Sequence, residues 1–279
     1  MDAPPILCVM SYAICNETFE GWDHARVCGR AAELGYAGLE VAPFTLAPLI
    51  TDVSAARRAE LRRQAAAAGV RIIGLHWLLA KTTGFHLTSP DAAVRKTTGE
   101  YLAALTRATA ELGGDLMVLG SPFQRNLEDG APPGAGDDRA ADTLSHCLKA
   151  LEECGVTLCL EPLTPAETNY MTTAAAGTAL CRRMAHPFVK LHLDVKAMSS
   201  EAAPVPDVIR ANREYLHHFH ANDPNKRGPG FGAVDFKPIF RALADVNYAG
   251  WVSVEVFDYS PDPDTIARES IRYMRECEA

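Results

Sequence analysis

Glu161, Asp194, His220 and Glu255 stand at the carboxyl ends of four successive hydrophobic runs: Thr157-Leu158-Cys159-Leu160, Lys190-Leu191-His192-Leu193, His217-His218-Phe219 and Trp251-Val252-Ser253-Val254. Three carboxylates and one imidazole are ligands for a divalent cation. The mixed oxygen–nitrogen set suits Mn2+, Co2+ or Mg2+, and also admits Zn2+, better than it suits a thiolate-selective ion. A single strand-end glutamate usually faces water or pairs with a lysine. Four such residues on consecutive strands share a cause only if the strand ends meet. Neighbouring strands lie ~5 Å apart, so four adjacent ends can surround one ion and leave positions open for substrate oxygens. The expectation is one metal ion held by Glu161, Asp194, His220 and Glu255.

The elements that would position these residues alternate. Strand-like runs are read at 6–14, 37–42, 71–79, 115–120, 157–163, 189–194, 217–222 and 250–257. Helix-like stretches lie between and after them, at 22–34, 54–68, 90–112, 138–153, 172–184, 206–215, 236–245 and 264–277. Ser54 and Ser89 read as caps, and Gly35, Gly69, Gly113 and Gly155 as stops. Strict alternation implies parallel strands with right-handed crossovers. Eight units imply a closed α/β (β/α)8 TIM barrel, a single domain over 1–279. Such a barrel takes roughly 250 residues, and the chain has 279. Ser11-Tyr12-Ala13-Ile14-Cys15 stands where a dinucleotide fold would carry its glycine-rich turn, which argues against that fold. The Pro/Gly-rich stretch within 122–137 reads as a long loop after the fourth strand, a candidate lid.

Composition excludes several classes. The chain is 48% hydrophobic with a formal net charge of −8, so a broad phosphate-binding surface is absent and nucleic acid is not an expected partner. Its eight cysteines include no C-x-x-C pair. A chain of this size does not need disulfides, and no secretory signal is read at its start, so reduced thiols in a cytoplasm are expected. No apolar run approaches the ~20 residues that cross a bilayer.

Several motifs resemble the sugar phosphate isomerase/epimerase superfamily with its xylose isomerase-like barrel. They are Leu160-Glu161-Pro162-Leu163, Leu193-Asp194, His218-Phe219-His220, Gly228-Pro229-Gly230 before Val234-Asp235-Phe236, and Val254-Glu255. The ligand gaps of 33, 26 and 35 residues are similar to those of its ketose 3-epimerase branch. The resemblance implies that all four residues bind the metal and that Glu161 and Glu255 also move protons on opposite substrate faces. It implies a substrate contact for Glu167, and assembly into homo-oligomers. Two positions depart from the branch: Ala197 replaces a histidine three residues after Asp194, and Lys226 replaces an arginine six residues after His220. Lys196 and Arg227 stand next to those positions as replacement donors.

The chemistry follows from the residue types. A proton beside a ketone is weakly acidic, and a divalent cation on the carbonyl stabilises the enediolate left by its removal. One carboxylate takes the proton and another returns one to the opposite face, which epimerises the carbon. Return to the adjacent carbon gives isomerisation, and a β leaving group gives elimination. The expected protein is therefore a metal-dependent isomerase or epimerase of a ketose or keto-sugar. Alternatives are a lyase or dehydratase on a keto-sugar, keto-glycoside or inosose, an abasic-site endonuclease on the same barrel, and a non-catalytic sugar sensor. His76 and Trp77, ending the third strand, and Glu40, ending the second, are further expected substrate contacts. Lys81 and His86 lie in the loop beyond. His192 and His218 are expected deeper, as hydrogen-bonding histidines of the barrel interior.

Overall fold

Each strand is four to six residues long and buried along nearly all its length, as a parallel sheet covered on both faces requires. The computed structural model describes residues 10–278. They form strands β1 (Ser11–Cys15), β2 (Gly38–Val41), β3 (Arg71–Leu75), β4 (Leu116–Leu119), β5 (Thr157–Leu160), β6 (Val189–Asp194), β7 (Leu216–Ala221) and β8 (Trp251–Val254). All neighbours pair in parallel, β1 closes on β8, and spatial order is sequence order. This is a (β/α)8 barrel. Residues 6–9 of the first expected strand lie outside the described residues.

The helices are α1 (His24–Leu34), α2 (Ala55–Ala68), α3 (Ala92–Leu112), α4 (Ala135–Ser145), α5 (Leu148–Cys154), α6 (Ala174–Met184), α7 (Val195–Met198), α8 (Val205–Ala211), α9 (Lys237–Asp245) and α10 (Pro263–Glu278). Ser54 caps α2 as expected, whereas α3 is capped by Asp91 rather than Ser89. Left-handed Gly35, Gly69, Gly113 and Gly155 end α1, α2, α3 and α5. The single helix expected over 138–153 is instead two, broken at His146 and Cys147. There α4 meets Gly99 of α3 so closely that a Cβ on Gly99 would lie 2.3 Å from Thr143 O.

Inside the barrel the side chains form layers. Ala13, Ile73, Leu116, Val118 and Cys159 pack together with Trp251 as an apolar plug. Beyond it, toward the strands' carboxyl ends, the interior turns polar: Glu40, His192, His218, His220 and Ser253 are all fully buried. The loop 120–134 is anchored over its inner half. Leu87 N donates to Gln124 O, Thr88 Oγ1 to Arg125 O, and Asn169 N to Asn126 Oδ1.

Candidate active site

β5 to β8 deliver the four expected ligands to one end of the barrel. Glu161 and Glu255 each follow a strand by one residue, Asp194 ends β6, and His220 is the penultimate residue of β7. All four are buried. Donor atoms of Glu161, Asp194 and His220, joined by one of His192, lie within 4.8 Å of one another. Glu255 reaches the cluster through His220, with its Oε2 3.1 Å from His220 Nδ1. Trp77 Nε1 donates to the other Glu255 oxygen at 2.6 Å.

Local structure holds these groups. Asp194 Oδ1 accepts the Ala197 amide at 2.8 Å as the cap of α7, and its Oδ2 accepts from Asn222 Nδ2 at 2.5 Å. Ala197 therefore serves the site through its backbone. Asn222, not singled out in the sequence, also accepts the Lys196 amide at 2.9 Å. Its signal was its place two residues after His220, on the same face by strand alternation. Glu161 fits only because residue 120 is glycine: a Cβ there would stand 1.5 Å from its Oε2. Arg125, in the loop after β4, is almost wholly buried. It donates to Leu119 O and Glu161 O, each at 2.6 Å, pinning the ends of β4 and β5.

The electrostatics describe a site short of positive charge. Burial, then the charges of Glu255 and Asp194, push the Glu161 carboxyl well above the usual carboxylate range. Burial and Glu255 raise Asp194 to about 6. For Glu255, burial is outweighed by His220 and by the Trp77 bond, so its carboxyl is held low. Burial and the neighbouring His220 and His218 keep His192 neutral. Both His192 ring nitrogens are buried without a hydrogen-bond partner, although buried polar groups are nearly always paired. Two carboxylates and two imidazoles, one of them unpartnered and neutral, fit a divalent cation with oxygen and nitrogen ligands.

Two expected substrate contacts, Glu40 and His76, are tied up within the barrel. Glu40 is completely buried; its Oε2 lies 2.8 Å from His218 Nε2 and 3.1 Å from His220 Nε2. It braces His220 from beneath. His76 is also completely buried, with Nε2 3.0 Å from Glu17 Oε2. In both cases a strand-end position gave the direction of the side chain but not its depth. His218 bonds inside the barrel as expected, whereas His192 joins the ligand cluster.

Trp77 lies at the surface of the site. Lys196 Nζ meets Glu167 Oε1 at 2.6 Å and lies 4.6 Å above the Phe257 ring, so this pair borders Asp194 and Glu255. Lys226 is exposed and Arg227 pairs with Asp258 at 3.0 Å; no contact ties either to the four ligands. His86 is half-buried in the loop after β3, where its amide donates to Thr98 Oγ1 at 2.9 Å. A cavity of about 870 Å³ opens beside Glu255, lined by Trp77, Lys81, Phe44, Glu17 and Phe257 among others. Trp77 and Lys81 both adopt left-handed backbone conformations, with φ of 54° and 61°. Such residues cost on the order of 1–3 kcal/mol each and concentrate at functional sites.

Fold and site together define a class: a (β/α)8 barrel with a buried carboxylate–imidazole centre at the carboxyl ends of its last four strands. The family model for xylose isomerase-like TIM barrels matches residues 28–277, and the chain belongs to that family. It is 29% identical to a D-psicose 3-epimerase of Ruminiclostridium cellulolyticum over 255 residues, 88% of this chain and 82% of the relative. It is 30% identical to a D-psicose 3-epimerase of Agrobacterium fabrum over 232 residues, 82% and 77% of the two chains. Among solved structures, a D-psicose 3-epimerase crystallised in the presence of D-fructose superposes with a TM-score of 0.85 at 25% identity, covering 96% of this chain and 99% of the other.

Proposed function

We propose that this protein is a divalent-cation-dependent epimerase of a ketose or keto-sugar. The observation that carries the reading is the buried donor cluster of Glu161, from β5, with Asp194 and His220, to which Glu255, from β8, is joined by its bond to His220. Similarity to D-psicose 3-epimerases over most of the chain supports it. A bound divalent cation would draw electron density from the substrate carbonyl and make the neighbouring C–H more acidic.

The chain's own residues supply the rest. Glu161, Asp194, His220 and Glu255 would hold the cation, with His192 close enough to compete as a nitrogen donor. Glu255, kept ionised by His220 and Trp77, is equipped to take a proton from the substrate carbon. Glu161, delivered by β5, is the second carboxylate and is equipped to return one from the other side. Lys196 and Glu167, fixed by their ion pair and by two Thr164 bonds to Glu167, offer one donor group and one acceptor group to substrate hydroxyls. Trp77 presents an indole face.

The test is solvent exchange followed by 1H NMR in D2O, with D-fructose and D-psicose as substrates and Mn2+, Co2+ or Mg2+ added. The native protein should replace one C–H beside the carbonyl with deuterium and interconvert the two sugars. Glu161→Gln and Glu255→Gln should each lower kcat by at least ~10²-fold, the scale of general acid–base catalysis, while a divalent ion still binds. Exchange at the native rate in either variant removes that residue from proton transfer.

A further inference from the structure

The cavity beside Glu255 is larger than a monosaccharide needs. Its volume of about 870 Å³ stands near the top of the roughly 300–1,000 Å³ range of small-molecule sites. Its inner end touches the catalytic centre, since Trp77 both lines it and donates to Glu255. Aromatic rings then lead outward. Phe257 and Trp77 have centroids 5.9 Å apart, Trp77 and Phe44 6.2 Å, and Lys81 Nζ lies 4.0 Å above Phe44. Glu17 faces the same cavity with only 10% of its side chain exposed. Its carboxylate oxygens are buried, with Oε2 3.0 Å from His76 Nε2.

We propose that this cavity is a subsite for a second pyranose ring, so that the substrate is a ketose carrying a glycosidically linked sugar. The inference rests on the epimerase reading and extends it to a substrate class. A pyranose has an apolar C–H face that packs on Trp77 and Phe44, and a rim of hydroxyls that can accept from Lys81. A purely hydrocarbon appendage would bury that ammonium without a partner. The lining carries three carboxylates, Glu17, Glu20 and Asp23, against the two cations Arg57 and Lys81, so a phosphate gains no net attraction there. A neutral ring with one apolar face and several hydroxyls answers both constraints.

The experiment compares lactulose and isomaltulose, each a fructose bearing a second pyranose, with D-fructose. Proton exchange in D2O with Mn2+ gives kcat/KM, and saturation-transfer difference NMR on the Glu161→Gln protein reports contact with each ring. At least one disaccharide should exceed fructose in kcat/KM by about tenfold or more, and its second-ring protons should be saturated. Phe44→Ala, at a half-exposed position, should abolish that saturation and lower disaccharide kcat/KM about tenfold, the scale of one lost stacking contact, while leaving fructose exchange unchanged. The subsite is overturned if second-ring protons of both disaccharides stay unsaturated, or if Phe44→Ala affects fructose and disaccharides alike. Saturation of the second ring with no proton exchange from any sugar would sink the epimerase reading and leave the subsite standing. Exchange from fructose without second-ring saturation would do the reverse.

Discussion

At the scale of single residues, the centre is built by what lies behind its ligands. Glu40 holds His220 from below, Asn222 and the Ala197 amide fix Asp194, and Arg125 ties down the backbone of Glu161. Arg125 has no side-chain carboxylate partner in its bonds; it serves carbonyls alone. Replacing Arg125 with Met leaves those buried acceptors short of donors, at about 1–3 kcal/mol for such a group. Urea unfolding of Arg125→Met should show a loss in that range, and an unchanged midpoint would remove Arg125 from its bracing role. The meeting of Glu161, Asp194, His220 and Glu255 was legible because each ends an apolar run in a residue that has no reason to be there unless strand ends converge. Arg125 was not legible, since a loop arginine is usually solvated and nothing local marks this one as buried. The partners of Glu40 and His76 were not legible, because alternation along a strand fixes a side chain's face, not how far along the barrel axis it sits.

At the scale of elements, glycine and loop conformation set the room available. Gly74 brings β3 against β4, where a Cβ would lie 2.1 Å from the Leu116 carbonyl oxygen. At Gly120 the obstacle is instead the tip of the Glu161 side chain, which can move. The two positions therefore predict different failures. Gly74→Ala should disrupt folding, because backbone cannot yield by that amount. Gly120→Ala should fold with a nearly native melting temperature and lose at least ~10²-fold in kcat, because a displacement of about 1 Å at a catalytic group costs that much. Circular dichroism and the exchange assay on both proteins check the contrast; an active Gly120→Ala protein would show that Glu161 need not occupy this position. The strand–helix rhythm was readable from period and caps. The break between α4 and α5 was not, because it depends on the close approach of α3 at Gly99, a contact between elements distant in sequence.

At the scale of the whole molecule, closing the barrel is what concentrates acidic charge. In the folded protein Asp194 and Glu161 keep their protons to higher pH than in the unfolded chain, Asp194 to about 6. The folded state thus binds more protons between their unfolded and folded values. Stability from these groups is full below the ordinary carboxylate range and is lost as pH rises through about 6. A divalent cation offsets the same charges, and binding to the native state alone adds about 2.7 kcal/mol when present at a hundred times its Kd. Melting temperatures measured with EDTA and with Mn2+ should therefore differ more at pH 8 than at pH 5. An equal difference at both values would mean that the cation does not bind this carboxylate cluster. The barrel itself was the most legible property, since eight buried runs separated by capped helices admit few other closures. No helix of the described residues is long and apolar enough to cross a membrane.

The bond from Trp77 to Glu255 gives the molecule an optical reporter of its own chemistry. Indole emission responds to charge at its ring nitrogen, and this nitrogen faces the carboxylate assigned to proton removal. Of the other two tryptophans, Trp22 borders the cavity and Trp251 packs on the apolar plug at the far end of the barrel. With Trp251 as a constant background, fluorescence can follow Glu255 through ion binding and turnover without any added label.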